Sequence, residues 1–106
     1  MRRIWIVDDE SNIGLSLRMI LEREGFAVTA FTSASDFRRA TGRDQVALFL
    51  LDVRIPDASG IEVLREIRAS GVAAPALEPS SFNVRKIDSI AEPAARNPAA
   101  GKIAMR

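Results

Sequence analysis

Two short apolar runs constrain this chain more than any other feature. They are Ile4-Trp5-Ile6-Val7 and Val46-Ala-Leu-Phe-Leu-Leu51, and each ends at an aspartate, Asp8 and Asp52. A strand with one wet face alternates apolar and polar residues. An unbroken run of β-branched, leucine and aromatic side chains belongs instead to a strand covered on both faces. Such strands need layers above and below, and the intervening segments supply them. Ser11 or Asn12 caps a predicted helix with Ile13, Leu17, Ile20 and Leu21 on its apolar face, and Gly25 ends it. Phe26 to Phe31 reads as a further strand, with Phe26, Val28 and Ala30 on one face. Ser33-Ala-Ser-Asp36 is a capping signal for a short helix through Phe37 and Ala40, stopped at Gly42. Gly60 opens a third helix with Val63, Leu64 and Ile67 as its inner stripe. The order β-α-β-α-β-α predicts an α/β fold, a parallel sheet with helices on both faces.

The pattern weakens in the last third. Strand starts near residues 3, 26 and 46 place a fourth strand near 73 to 80 and a fifth near 96 to 103. The fourth would fall on Ala74-Pro75-Ala76-Leu77-Glu78-Pro79, where two prolines and a carboxylate replace the Val and Ile of an interior strand. Residues 83 to 95 have helical spacing interrupted by Pro93, and only residues 99 to 105 remain for a fifth strand. Residues 71 to 106 carry four of the five prolines. This part reads as incomplete or altered, and possession of a closing helix is not expected.

Composition narrows the chemistry. The 106 residues contain no Cys and no His, which removes disulfides, thiolate nucleophiles and imidazole-based proton shuttles. Site chemistry must run on carboxylates, hydroxyls, Lys, Arg or a hard metal ion. A net charge of +1 gives no bulk field to recruit nucleic acid or anionic lipid. Arg2, Arg3, Arg38 and Arg39 read as a solvated rim, so no nucleic acid is expected to bind this domain alone. No apolar run approaches the roughly 18 residues of a membrane span, and Ile4 to Val7 is too short for a signal peptide. A cytoplasmic protein without a membrane partner is the expectation.

All strands of a parallel sheet end on one edge. If the two continuous strands are neighbours, about 4.8 Å apart, Asp8 and Asp9 converge with Asp52. Two unit charges 4 Å apart repel by about 4 kcal/mol at an effective dielectric of 20, so the cluster should raise a pKa or recruit a cation. Hard oxygen donors suit Mg²⁺. Taken singly, Asp8-Asp9-Glu10 reads as helix capping and Asp52 as an ordinary strand end. The two together, each closing a buried strand, favour a site. The segment from Arg54 to Gly60 then reads as a turn-rich loop, with Pro56 fixing φ and Gly60 supplying backbone freedom.

Ile6-Val7-Asp8-Asp9-Glu10 and Leu50-Leu51-Asp52-Val53-Arg54-Ile55-Pro56-Asp57-Ala58-Ser59-Gly60 together resemble the receiver domain of bacterial two-component response regulators. The resemblance covers residues 3 to about 70. It implies one receiver-like domain over residues 1–106 and a flavodoxin-like sheet of order 2-1-3-4-5. It also implies that Asp52 is the phosphoacceptor and that Mg²⁺ is bound by Asp9 and Asp52. Asp8, directly or through water, and the backbone carbonyl of Arg54 would complete the protein ligands. The implied donor is the phosphohistidine of a sensor histidine kinase or phosphotransfer protein, or a small acyl phosphate, and the beneficiary is an output domain or target protein. By offset, the family's switch hydroxyl corresponds to Ser80, 28 residues after Asp52, and its phosphate-pairing lysine to Lys102, 50 residues after. Their contexts depart from the family: Ser80 follows Glu78-Pro79, and Lys102 follows Gly101 and precedes Ile103.

Three readings compete. The chain is a phosphorelay receiver; or a degenerate or truncated receiver that binds partners without phosphorylation; or a metal-dependent phosphohydrolase. The last ranks lowest, because the common Asp-x-Asp signature after a strand is missing. The expectation is a signalling module and not an enzyme.

Overall fold

The computed structural model describes residues 2–79, apart from the side chains of residues 11–13. Strand β1 (Arg3–Val7) is followed by helix α1 (Ser11–Arg23), β2 (Ala27–Phe31), α2 (Ala34–Arg39), a 3₁₀ turn (Arg43–Gln45) and β3 (Val46–Leu51). Two-residue strands β4 (Arg54–Ile55) and β5 (Ala58–Ser59), helix α3 (Gly60–Ala69) and strand β6 (Ala76–Leu77) complete the described part. The main sheet is parallel, in the order β2-β1-β3-β6. In strand sequence this is 2-1-3-4, the first four positions of the flavodoxin-like order. The expected fifth strand, with Lys102, and the hydroxyl of Ser80 lie outside the described residues.

Burial on both faces follows from the period of two along each continuous run. Trp5, Val7, Phe49 and Leu51 pack with Ala34 and Phe37 of α2 and with Val63, Leu64 and Ile67 of α3. Ile4, Ile6, Leu48 and Leu50 point the other way, into a second cluster with Leu21, Phe26, Val28 and Leu77. The helices therefore divide with α1 on one side of the sheet and α2 and α3 on the other.

Several local expectations shift. The first helix begins at Ser11 itself, with Glu10 in the capping position, so the predicted cap falls one or two residues late. Ile20 is not inward: Leu21 is fully buried and Leu17 packs beside it, while Ile20 is 39% exposed. It stands about 100° round the helix from Leu21, at the margin of the covered stripe. Ala30 is exposed although it shares a strand face with Val28, because the residue of α1 lying over it is Gly14. A cavity of about 260 Å³ opens here, lined by Gly14, Leu15, Ala30 and Asp8 among others. Helix α2 stops at Arg39 because Ala40 is already extended; Gly42, at φ +94°, instead starts the 3₁₀ turn. Pro75 and Pro79 bracket the fourth strand and leave it two residues long; its contact to β3 begins with the Phe49 N–H donating to the Pro75 carbonyl at 3.0 Å.

Candidate functional site

Register brings the acidic residues together. Val7 lies opposite Leu51 in the β1–β3 pair, so Asp8 and Asp52 are the next residues at the carboxyl ends of adjacent strands. The main chain stays bonded across this point: the Asp52 N–H donates to the Val7 carbonyl and the Asp8 N–H to the Phe31 carbonyl, both at 2.9 Å. One carboxylate oxygen from each of Asp8, Asp9 and Asp52 lies within 4.8 Å of the others. The three differ in setting. Asp8 is 5% exposed, Asp52 half-buried and Asp9 exposed.

Asp8 carries the electrostatic cost of this arrangement. Its pKa is raised, first by burial and then by the charges of Asp52, Asp9 and Glu10; the Glu10 N–H, donating to Asp8 Oδ1 at 2.9 Å, offsets part of the rise. A buried carboxyl beside two more carboxylates is a group that a cation would relieve. The donor set fits Mg²⁺: all three ligands are hard oxygens on one open edge.

The loop after Asp52 is more ordered than its composition suggests. Arg54 to Ser59 folds back as the antiparallel β4–β5 hairpin, with Pro56 and Asp57 at its tip. The Arg54 N–H approaches Asp52 Oδ1 at 3.3 Å, while Asp52 Oδ2 accepts no hydrogen bond among the described residues. Ser59 caps α3 by accepting from the Glu62 N–H at 3.1 Å. Gly60 needs correction: its φ is not positive, so backbone freedom is not its purpose. A Cβ there would overlap the Asp52 carbonyl oxygen and lie 2.9 Å from the carbonyl carbon. Glycine is required because helix α3 starts hard against the main chain of Asp52.

Two of the residues singled out from the sequence, Ser80 and Lys102, lie outside the described residues, while Asp8, Asp9 and Asp52 converge on one edge and Arg54 opens β4 two residues beyond Asp52. Sequence reading missed Asp57. Its two carboxylate oxygens accept from the N–H groups of Ala34 and Ser35, each at 2.9 Å, and these bonds hold its pKa below the usual carboxylate value. An aspartate in a turn gives no local sign of a partner more than twenty residues away.

Comparison with known proteins agrees with this geometry. The model of the response regulator receiver domain matches residues 4–90. The chain is 37% identical over 65 residues to the DNA-binding transcriptional regulator NtrC of Proteus hauseri, covering 61% of this chain and 14% of that protein. It is 38% identical over 68 residues to the transcriptional regulatory protein GltR of Pseudomonas aeruginosa, covering 64% of this chain and 28% of that one. The chain thus spans less than a third of the length of these relatives. Among solved structures, the response regulator protein TrrA of Thermotoga maritima, in complex with Mg²⁺-BeF, superposes with a TM-score of 0.66 at 32% identity, covering 74% of this chain and 68% of that one. Paired acidic strand ends, the 2-1-3-4 sheet and these matches converge: the chain belongs to the response regulator receiver domain family of phosphorelay signalling.

Proposed function

We propose that this domain accepts a phosphoryl group on Asp52 from the phosphohistidine of a sensor histidine kinase or phosphotransfer protein, and relays the change to an output domain or target protein. The observation that carries the proposal is the convergence of Asp8, Asp9 and Asp52, one buried, one exposed and one between, from the ends of adjacent strands. Asp8, Asp9, Asp52 and the backbone carbonyl of Arg54 would hold Mg²⁺, and the ion would supply positive charge where phosphoryl oxygens gather.

The protein's own part is mainly positioning. Asp52 is half-buried at a strand end, its main chain held by the bond to Val7 and its reachable carboxylate met by the Arg54 N–H. In the transfer, an Asp52 oxygen forms the new bond to phosphorus as the bond from phosphorus to the imidazole nitrogen breaks. The electron pair stays on that nitrogen. The product is an acyl phosphate on Asp52, with no acid or base group required from a chain that lacks His. The domain is on this reading a stoichiometric acceptor and not an enzyme. We also place it in the cytoplasm, where such donors act; among the described residues no helix is long and apolar enough to cross a membrane.

Intact-mass analysis after incubation with Mg²⁺ and acetyl phosphate tests the proposal. A single phosphoryl adduct is expected, absent from Asp52→Asn and absent when the ion is chelated. A folded wild-type chain that gains no adduct at saturating donor would overturn it.

A further inference from the structure

Asp57 is not among the residues assigned to the ion or the phosphoryl group, yet it ties their loop to another part of the fold. Two-residue strands such as β4 and β5 are too short to hold a hairpin by themselves. At the hairpin tip, both Asp57 oxygens accept main-chain hydrogen bonds from Ala34 and Ser35, at 2.9 Å each. These N–H groups belong to the first turn of α2 and have no acceptor within the helix. A carboxylate that accepts them makes charge-assisted bonds, stronger than neutral ones.

The far side of this link is fixed. Ala34 and Phe37 of α2 are fully buried against the sheet, and the Arg38 guanidinium grips the Glu66 carboxylate of α3 at 2.9 and 2.8 Å. The near side leads directly to the site, because the same hairpin begins at Arg54, two residues beyond Asp52. Ser59 bonds only within the start of α3, and among the described residues no side chain of 53–59 besides Asp57 and Ser59 forms a hydrogen bond to an element outside the loop.

We propose that Asp57 is a positioning residue for the acceptor site: by pinning the hairpin tip to α2 it holds the Arg54 end of the hairpin, and the main-chain oxygen assigned there to the cation, in place beside Asp52. The identity of the ion rests on the function proposed above. Mg²⁺ tolerates little departure from octahedral geometry, so a loosened Arg54 segment weakens its binding. The nucleophile itself is untouched. The effect therefore belongs in the Mg²⁺ dependence of the reaction and not in its rate at saturating ion.

The test uses the full chain as wild type, Asp57→Ala, Asp57→Asn and Ser33→Ala. Asparagine keeps one acceptor oxygen. Ser33→Ala removes the other cap of the same helix, the 3.1 Å bond from the Asp36 N–H to Ser33 Oγ, and leaves the hairpin tied. Amide hydrogen exchange at Arg54 and Gly60 is read without divalent ions, and Mg²⁺ affinity from Trp5 emission. Asp57→Ala is expected to speed exchange at both amides by about tenfold. It should weaken Mg²⁺ binding by about three- to tenfold, less than the loss of a residue bonded directly to a ligand. Asp57→Asn should fall between, and Ser33→Ala should match wild type in both readouts. Unchanged exchange in Asp57→Ala, or equal effects of Asp57→Ala and Ser33→Ala, would overturn the positioning role whatever the phosphoryl chemistry does. If exchange and Mg²⁺ affinity shift as expected while the wild type takes no phosphoryl group, the clamp is supported and the acceptor reading fails.

Discussion

Gly60 lies so close to Asp52 that a methyl group on its Cα would overlap the Asp52 carbonyl oxygen. The contact is backbone against backbone, so no rotamer change relieves it. Helix α3 and the end of strand β3 are in effect one rigid corner, and the Gly60 N–H closes it by donating to the Val53 carbonyl at 2.9 Å.

Replacing this glycine is therefore expected to damage site and fold together. Gly60→Ala should cost about 3 kcal/mol, the upper end for overpacking, because main chain must move. Gly71→Ala is the comparison: it has φ +86° and nothing within 4 Å of a Cβ. That change should cost only about 1 kcal/mol of left-handed strain and leave phosphoryl acceptance intact. Thermal unfolding read beside intact-mass analysis separates the two.

Asp8 and Asp57 should give opposite pH signatures. Asp8 has a raised pKa, so its contribution to folding is fullest below the unfolded value of 3.8 and is lost as pH rises through its folded pKa. Asp8→Asn should accordingly raise the midpoint of thermal unfolding at neutral pH without divalent ions, by a few degrees or about 1 kcal/mol. It should also abolish most of the stabilisation that Mg²⁺ gives the wild type. Asp57 has a lowered pKa, so its contribution is present above 3.8 and lost as pH falls through the lower folded value. Asp57→Ala should lower the neutral plateau of the stability profile and flatten its acid limb, with stability at the acid extreme close to that of the wild type. Melting curves across pH, with and without Mg²⁺, test both signs.

Trp5 is a built-in reporter of the edge. Its ring meets Phe31 edge-on at 5.1 Å between centroids, and the Phe31 carbonyl accepts from the Asp8 N–H. Emission should change saturably on Mg²⁺ titration of the wild type. It should not respond in Asp9→Asn combined with Asp52→Asn. A wild-type signal indifferent to Mg²⁺ would count against the ion site.

Phe37 anchors α2. It is fully buried and packs edge-on against Trp5 at 5.8 Å and Phe31 at 6.1 Å. Phe37→Ala should cost about 3–5 kcal/mol, a large share of the stability of a small domain. Phe37→Leu keeps most of the volume, and its expected cost is below about 2 kcal/mol. Urea unfolding followed by Trp5 emission gives both values.

The amino-acid pattern alone pointed to the parallel sheet, because short unbroken apolar runs alternating with helix-period segments suit strands buried on both faces. It also determined that Asp8, Asp9 and Asp52 end strands on a common edge, and the spacing of Asp52, Pro56 and Gly60 carried the family resemblance. These are properties of periodicity and short-range order, which a chain displays along its length. What only the tertiary structure decided depends on contacts between distant segments. The outward turn of Ile20 and the exposure of Ala30 follow from where α1 and its Gly14 meet β2. The need for glycine at position 60 follows from the approach of α3 to the Asp52 main chain, and the bond from Asp57 to α2 joins residues far apart in sequence. Neither close packing nor a hydrogen bond between remote elements leaves a periodic trace, since each depends on the three-dimensional path between them.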